Sequence, residues 1–499
     1  MIRAAAYSYW LAMTGALALM SPDVRADRPG SSAESVAPVS FTRERSGRFG
    51  GATVPYTVTA GETLLRGNDG EPKASIFSFA YVRKDVASQS RRPVLFLFNG
   101  GPGSPSLWLH MGAFGPRRVS VPSDAEAVGA GPYELVDNTE TILDIADLVF
   151  IDPVGTGFTR TFGSTQEKEY FGLRPDARSI ADFITLWLSA NNRWRSPKYL
   201  LGESYGTLRA GAVTGELDQH NTALNGVILI SAVTDFSAAK TTTGNEIAYI
   251  VNMPSMAAAA WYHKKIANRP PDLEAFLEDA RRFARTDYAL ALLQGDHLAS
   301  DERVRVRARL SAFTGISEEY LERMNLRVGY LDFVHELLRA EGKVIGFADM
   351  RYTATASSAD PSGAPSFFGI APAFIAAMND YLGADLQIDL HRPYRAQANI
   401  EEWDYAGPDS VYVNTASEIG VAMRHYPDMR VLLASGYFDW NTTFFGSEYG
   451  LSHSGLDPAR LVVKHYLAGH MMYVDGPSRT QLLKDVRAFI VSGSGPKSK

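Results

Sequence analysis

The sequence predicts an α/β protein: a mostly parallel central sheet with helices on both faces and a large, mainly helical insertion. Three observations predict it. Short, mostly apolar runs recur at 93–98 (PVLFLF, apolar throughout), 148–151, 198–201, 227–230 (VILI) and 430–434 (RVLLA), as strands covered on both faces do. Between them lie stretches with apolar residues at helical spacing, such as Ile180, Phe183, Ile184, Trp187 and Leu188. The alternation that implies a parallel sheet then stops from about Asp235 to Ala422, and resumes afterwards.

The 499 residues, 45% of them hydrophobic, suffice for a large core. A net charge of −6 leaves no basic footprint, which argues against a nucleic-acid partner. The chain has no cysteine, so it can use neither disulfides nor a thiol nucleophile nor thiolate metal sites.

Arg3, the apolar stretch Ala4 to Met20 and the small residues around Val24-Arg25-Ala26 read as a secretory signal cleaved after Ala26. An uncleaved anchor is the alternative. The expected product is periplasmic or secreted, with no integral membrane span in the mature form. Residues 27–40, rich in Ser, Pro, Ala and charge, read as a flexible leader.

Val54 to Thr59 and Ser75 to Arg83 alternate apolar and polar residues like half-buried antiparallel strands, linked by Gly61 to Lys73. Pro93 to Phe98 runs into Asn99-Gly100-Gly101-Pro102-Gly103-Ser104, and Leu148 to Ile151 into Asp152-Pro153-Val154-Gly155-Thr156-Gly157-Phe158. A helix is expected over Arg178 to Ala190, then a strand over Lys198 to Leu201. The insertion carries helical patterns at Leu273 to Arg285, Tyr288 to Leu293 and Tyr330 to Arg339, and a loop at Thr353 to Ser366. A strand over Arg460 to Tyr466 and a helix over Arg479 to Ile490 close the chain. The expected divisions are therefore a signal (1–26), a leader (27–40), the first part of the sheet domain (41–234), a cap (235–422), its second part (423–492) and a tail (493–499).

Gly202-Glu203-Ser204-Tyr205-Gly206 lies between an apolar run and a helix-compatible one. A Ser in that context sits on a strand-to-helix elbow that aims Oγ out of the sheet. The alternative is an ordinary Gly-rich turn. A Ser needs a base, and the base needs a carboxylate to fix its tautomer. In the α/β-hydrolase fold these follow in the order Ser, acid, His, on late strand ends. Asp439, just past 430–434, and His470, in the turn Ala468-Gly469-His470-Met471, satisfy that order. His453 and His465 follow Asp439 too, but they sit in an expected loop and strand.

These motifs together, in their order and spacing from about Pro93 to Ile490, resemble the serine carboxypeptidase family; the cap carries little of the match. The resemblance implies an α/β-hydrolase fold and a hydrolase with the triad Ser204, Asp439 and His470. It further implies an oxyanion hole from the amides of Gly101 and Tyr205, and a site for a peptide's terminal carboxylate from Asn99, Gly100 and Glu203. A pairing of Glu203 with a cation such as Arg209, and an Asn99 that only satisfies its own turn, remain the alternatives. The chain departs from the family at Leu97, at Ser104 and above all at Ala113, where the family has a second carboxylate-holding Glu. Acyl-enzyme chemistry survives that loss; recognition of a free C-terminus is put in doubt.

The expected substrate is a peptide cleaved at its C-terminus. An esterase, acyltransferase or other exopeptidase with the same triad, and a non-catalytic binding protein, are the alternatives. No metal-ligand motif or phosphate-binding loop appears, so no cofactor is expected. The oligomeric state stays open, a homodimer included.

Overall fold

Ten strands form one sheet in the computed structural model, which describes residues 37–357, 369–405 and 412–494. The chain divides into a unit Met1–Ala37 and a unit Pro38–Lys499, and among the described residues every strand and helix belongs to the second. The expected signal and all but the end of the leader lie outside the described residues.

The principal strands are β1 (Ser40–Phe49), β2 (Ala52–Arg66), β3 (Pro72–Arg83), β4 (Val94–Phe98), β5 (Asp147–Asp152), β6 (Lys198–Glu203), β7 (Gly226–Ile230), β8 (Arg430–Gly436) and β9 (Leu461–Tyr466). Their order across the sheet is β1-β2-β3-β5-β4-β6-β7-β8-β9. From β5 to β9 all neighbours are parallel; β1, β2 and β3 add an antiparallel flank.

Side chains alternate between two apolar layers, as the pleat requires. Leu95, Leu97, Leu201, Ile228 and Leu432 face the helix α9 (Gly476–Ser494) through Leu482, Val486 and Ile490. Phe96, Leu200, Leu229 and Leu433 face α1 (Leu173–Ala190), α2 (Tyr205–Gln219) and α7 (Ala416–His425). The helices therefore sandwich the sheet, and strand ends converge on one edge where loops carry the polar residues.

β7 and β8 are neighbours, with Gly226 opposite Arg430. Between them the chain forms α3 (Glu246–Tyr262), α4 (Leu273–Phe283), α5 (Ser300–Thr314) and α6 (Ile370–Asp380), together with a two-stranded hairpin, Lys343–Ile345 against Thr353–Thr355. A helix α8 (Phe444–Ser452) follows β8.

The structure corrects four expectations. The leader's last residue, Ser40, already opens β1, and the link at 61–73 is largely strand, since β2 runs to Arg66 and β3 starts at Pro72. β1 is an edge strand with both faces largely in water; Thr42, Arg43, Glu44, Arg45 and Ser46 give it no apolar alternation to read. α1 begins at Leu173 and α9 at Gly476, earlier than periodicity suggests; Pro175 and Pro477 fall in first turns, where the missing N–H costs nothing. Thr353 to Thr355 is strand rather than loop, and residues 358–368 of that expected loop lie outside the described residues.

Candidate active site

β6 ends at Glu203 and α2 begins at Tyr205, so Ser204 alone makes the turn from strand to helix. Its φ is +59° and its ψ −131°, a backbone state that a side chain rarely tolerates. The flanking glycines let the turn close. A Cβ on Gly202 would overlap the Gly206 carbonyl, and one on Gly206 would come within 2.9 Å of the Phe98 carbonyl. The Ser204 amide donates to Ile230 O at 3.0 Å, and Thr207 Oγ1 donates to Ser204 O at 2.7 Å, which fixes the strained residue from both sides. The ordinary-turn alternative does not survive this geometry.

Asp439 follows β8 and His470 follows β9. His470 Nδ1 and Asp439 Oδ2 lie 2.8 Å apart, and both side chains are buried. The carboxylate also accepts the Thr442 amide on Oδ1 at 3.0 Å and the Thr442 hydroxyl on Oδ2 at 2.6 Å. A carboxylate oxygen only accepts, so Nδ1 carries the proton and Nε2 is left as the basic nitrogen. Burial by itself would lower the His470 pKa; the charge and hydrogen bond of Asp439, with the charge of Glu203, outweigh it and raise the value above 6.5. His470 O accepts the Ser231 hydroxyl at 2.6 Å, tying the turn to the end of β7.

Glu203 is buried at 3% exposure, and burial pushes its carboxyl up to about 7 against the pull of His470, Tyr473 and Asn99. Asn99 Nδ2 donates to Glu203 Oε2 at 2.8 Å, while Asn99 Oδ1 accepts the Leu109 amide at 3.0 Å. Both ends of the Asn99 amide are thus spent on other segments, not on its own turn. Arg209 does not pair with Glu203. Its guanidinium donates to Asp176 Oδ2 at 2.7 Å and to Asn99 O, so the charge that pulls against the burial of Glu203 is that of His470, not of Arg209.

The loop after β4 lies against the elbow: a Cβ on Gly100 would stand 2.5 Å from the Tyr205 nitrogen. Gly101 has φ +106°, which only glycine holds without strain. Tyr205 is the first residue of α2, and a first-turn amide has no partner inside its helix. Ala113 is fully buried in the apolar core beside Phe114 and Leu107.

Two residues of the site went unread in the sequence. Tyr473 OH donates to Glu203, 2.9 Å from Oε2 and 3.0 Å from Oε1. It lies three residues beyond His470, and a polar aromatic just past the turn of the candidate base is the signal that could have found it. Thr442, three residues after Asp439, is the other, legible as a side chain able to close a turn on that carboxylate. Among the described residues no group of three or more His, Asp and Glu could hold a metal, and no helix is long and apolar enough to cross a membrane.

Known proteins resemble this chain in part of its sequence and in its fold. Residues 68–287 match the serine carboxypeptidase family model. Serine carboxypeptidase-like 36 of Arabidopsis thaliana is 30% identical over 134 residues, and serine carboxypeptidase-like 34 of the same plant 32% over 133. Each match covers 26% of this chain but only 26% and 24% of the relatives' own lengths. Among solved structures, Kex1(Δ)p, a prohormone-processing carboxypeptidase from Saccharomyces cerevisiae, superposes with a TM-score of 0.52 at 16% identity. That alignment covers 88% of this chain and 92% of that one, a likeness of fold. The stretch 68–287, which holds the strand-to-helix elbow, is thus similar to the serine carboxypeptidase family, and the chain as a whole shares the α/β-hydrolase fold.

Proposed function

We propose that the protein is a serine-type hydrolase that removes C-terminal residues from peptides through an acyl-enzyme on Ser204. The observation that carries this reading is the buried 2.8 Å contact between His470 Nδ1 and Asp439 Oδ2, on strand ends that follow the strained Ser204 elbow. His470 Nε2 takes the Ser204 proton as Oγ bonds to the scissile carbonyl carbon, and Asp439 steadies the imidazolium. The amides of Gly101 and Tyr205 receive the oxyanion, where donors fixed in advance are worth most. As the C–N bond breaks, His470 returns the proton to the leaving amine; water then repeats the sequence and frees Ser204.

Glu203, Asn99, Gly100 and Tyr473 are the groups for the substrate's terminal carboxylate. A protonated Glu203 can donate to that carboxylate, whereas an ionised one repels it. Ala113 favours a second reading, an esterase or acyltransferase, because Glu203 stands without the partner acid and an ester substrate needs no carboxylate site. Residues 1–26 and their cleavage belong to the proposal as well, as does a peptide as the partner.

Purified protein assayed on paired peptides with free and amidated C-termini separates the two readings. Free-acid peptides should be preferred below about pH 7, where Glu203 is protonated, and the preference should fade above it; equal rates on both at every pH, with faster turnover of simple esters, would establish the second reading. Ser204→Ala, Asp439→Asn and His470→Ala should each fold and each lose about a thousandfold or more in kcat. Full activity in any one of them removes that residue from the triad.

A further inference from the structure

The hairpin inside the insertion ends in a loop, residues 346–352, closed by Gly346 N–H donating to Tyr352 O at 3.1 Å. That loop passes between the turn carrying Asp439 and the turn carrying His470, and is bonded to both. On one side Trp440 N–H donates to Phe347 O at 3.1 Å, and Met350 N–H donates to Phe438 O at 2.8 Å. These two bonds bracket Asp439. On the other side His470 N–H donates to Ala348 O at 2.6 Å, and Gly469 N–H donates to Asp349 Oδ2 at 3.0 Å. The approach is close enough that a Cβ on Gly469 would collide with Ala348 O and with Asp349 itself.

Asp349 is held in turn by Arg351. Arg351 Nε lies 3.0 and 3.1 Å from its two oxygens, and Nη2 lies 2.6 Å from Oδ2. Arg351 Nη1 donates to Leu467 O at 2.8 Å, and the guanidinium stands 3.6 Å from Asp475. The pair therefore grips the His470 turn at Leu467 and at Gly469, one residue before the imidazole. A charged pair kept this far from water has to be fully bonded to be tolerated; two of its bonds are spent on that turn.

We propose that Asp349 is a positioning residue for His470, acting through the Gly469 amide, with Arg351 fixing its carboxylate. The proposal rests on the reading of His470 as the base. The separation of Asp439 and His470 is then set by a segment of the insertion that is bonded to the backbone of both turns. Misplacement of a catalytic group by an ångström costs up to about a hundredfold in rate, so the turn's backbone bonds carry weight beyond stability.

The test uses the full-length protein and two readouts: the rate at which a small phosphonate labels Ser204, and kcat and KM on a simple ester. Asp349→Ala should slow labelling and lower kcat by about tenfold or more, with KM within about twofold of wild type. Asp349→Asn keeps an oxygen that can accept the Gly469 amide and should recover most of that loss. Wild-type labelling by folded Asp349→Ala, or an equal fall in Asp349→Asn, overturns the assignment. Should Asp349→Ala not fold, Arg351→Lys replaces it: slower labelling at unchanged KM supports the proposal, and wild-type labelling overturns it. His470→Ala is the control for the underlying reading, because undiminished labelling there means that His470 is not the base, whatever Asp349 does.

Discussion

At Glu203 the fold buries a carboxyl with hydrogen-bond donors around it and without Arg209 as a partner, and the sign of the consequence is calculable. Its pKa rises from 4.5 to about 7 on folding. The unfolded chain therefore gives up this proton first, and stability falls as pH rises from about 4.5 through about 7. The full difference corresponds to about 3 kcal/mol. Glu203→Gln, which cannot ionise, should gain about that much stability at about pH 8 and almost none at about pH 4, read from denaturant unfolding at the two values. Equal gains at both would mean that folding leaves the Glu203 pKa unshifted. The sequence made Glu203 and Asn99 visible because they flank motifs with fixed spacing. It did not reveal Tyr473, whose contact with Glu203 spans 270 residues and follows no local pattern. Nor did spacing exclude Arg209 as the partner of Glu203; only the packing of α2 against α1, which delivers Asp176 to Arg209, decides that.

Among elements, the insertion is fastened to the sheet domain by charge as well as by apolar contact. Arg281 of α4 donates to Glu448 of α8 at 2.9 Å, and His465 of β9 lies 2.7 Å from the same oxygen. Burial would raise the Glu448 pKa, but His465 and Arg281 outweigh it and hold it below 4.5. Stability from this group is thus present above that value and lost as pH falls through the depressed one. Arg281→Ala should cost about 1–3 kcal/mol at neutral pH and progressively less in acid, measured as a shift of the unfolding midpoint. A pH-independent loss would assign the cost to the Arg281 packing over the Phe444 ring instead. The buried strands were legible because both faces are apolar, and helices such as α4 because one face is. β1 was not, since an edge strand owes its form to pairing with β2. The loop 346–352 was equally silent: its bonds to the two turns run through its own backbone or end on backbone groups of the turns, which every residue possesses.

For the molecule as a whole, the expected export signal predicts a protein recovered from the soluble extracytoplasmic fraction with an N-terminus near Asp27; an intact Met1 in the membrane fraction would make residues 1–26 an anchor. Without cysteines, such a protein would mature outside the cytoplasm with no oxidative step to wait for. The sheet order has a consequence of another kind. Ser204 precedes the insertion, while Asp439, His470 and the loop that holds them all come with it or after it. β7 can meet β8 only once the intervening residues 231–429 have been made and folded back, a long-range closure that is slow by nature. A chain emerging from the ribosome, or threading a translocation channel, therefore exposes its serine long before it owns a base. The proposed peptidase is silent by order of synthesis, and needs no separate inhibitory segment to keep it so until its last seventy or so residues arrive.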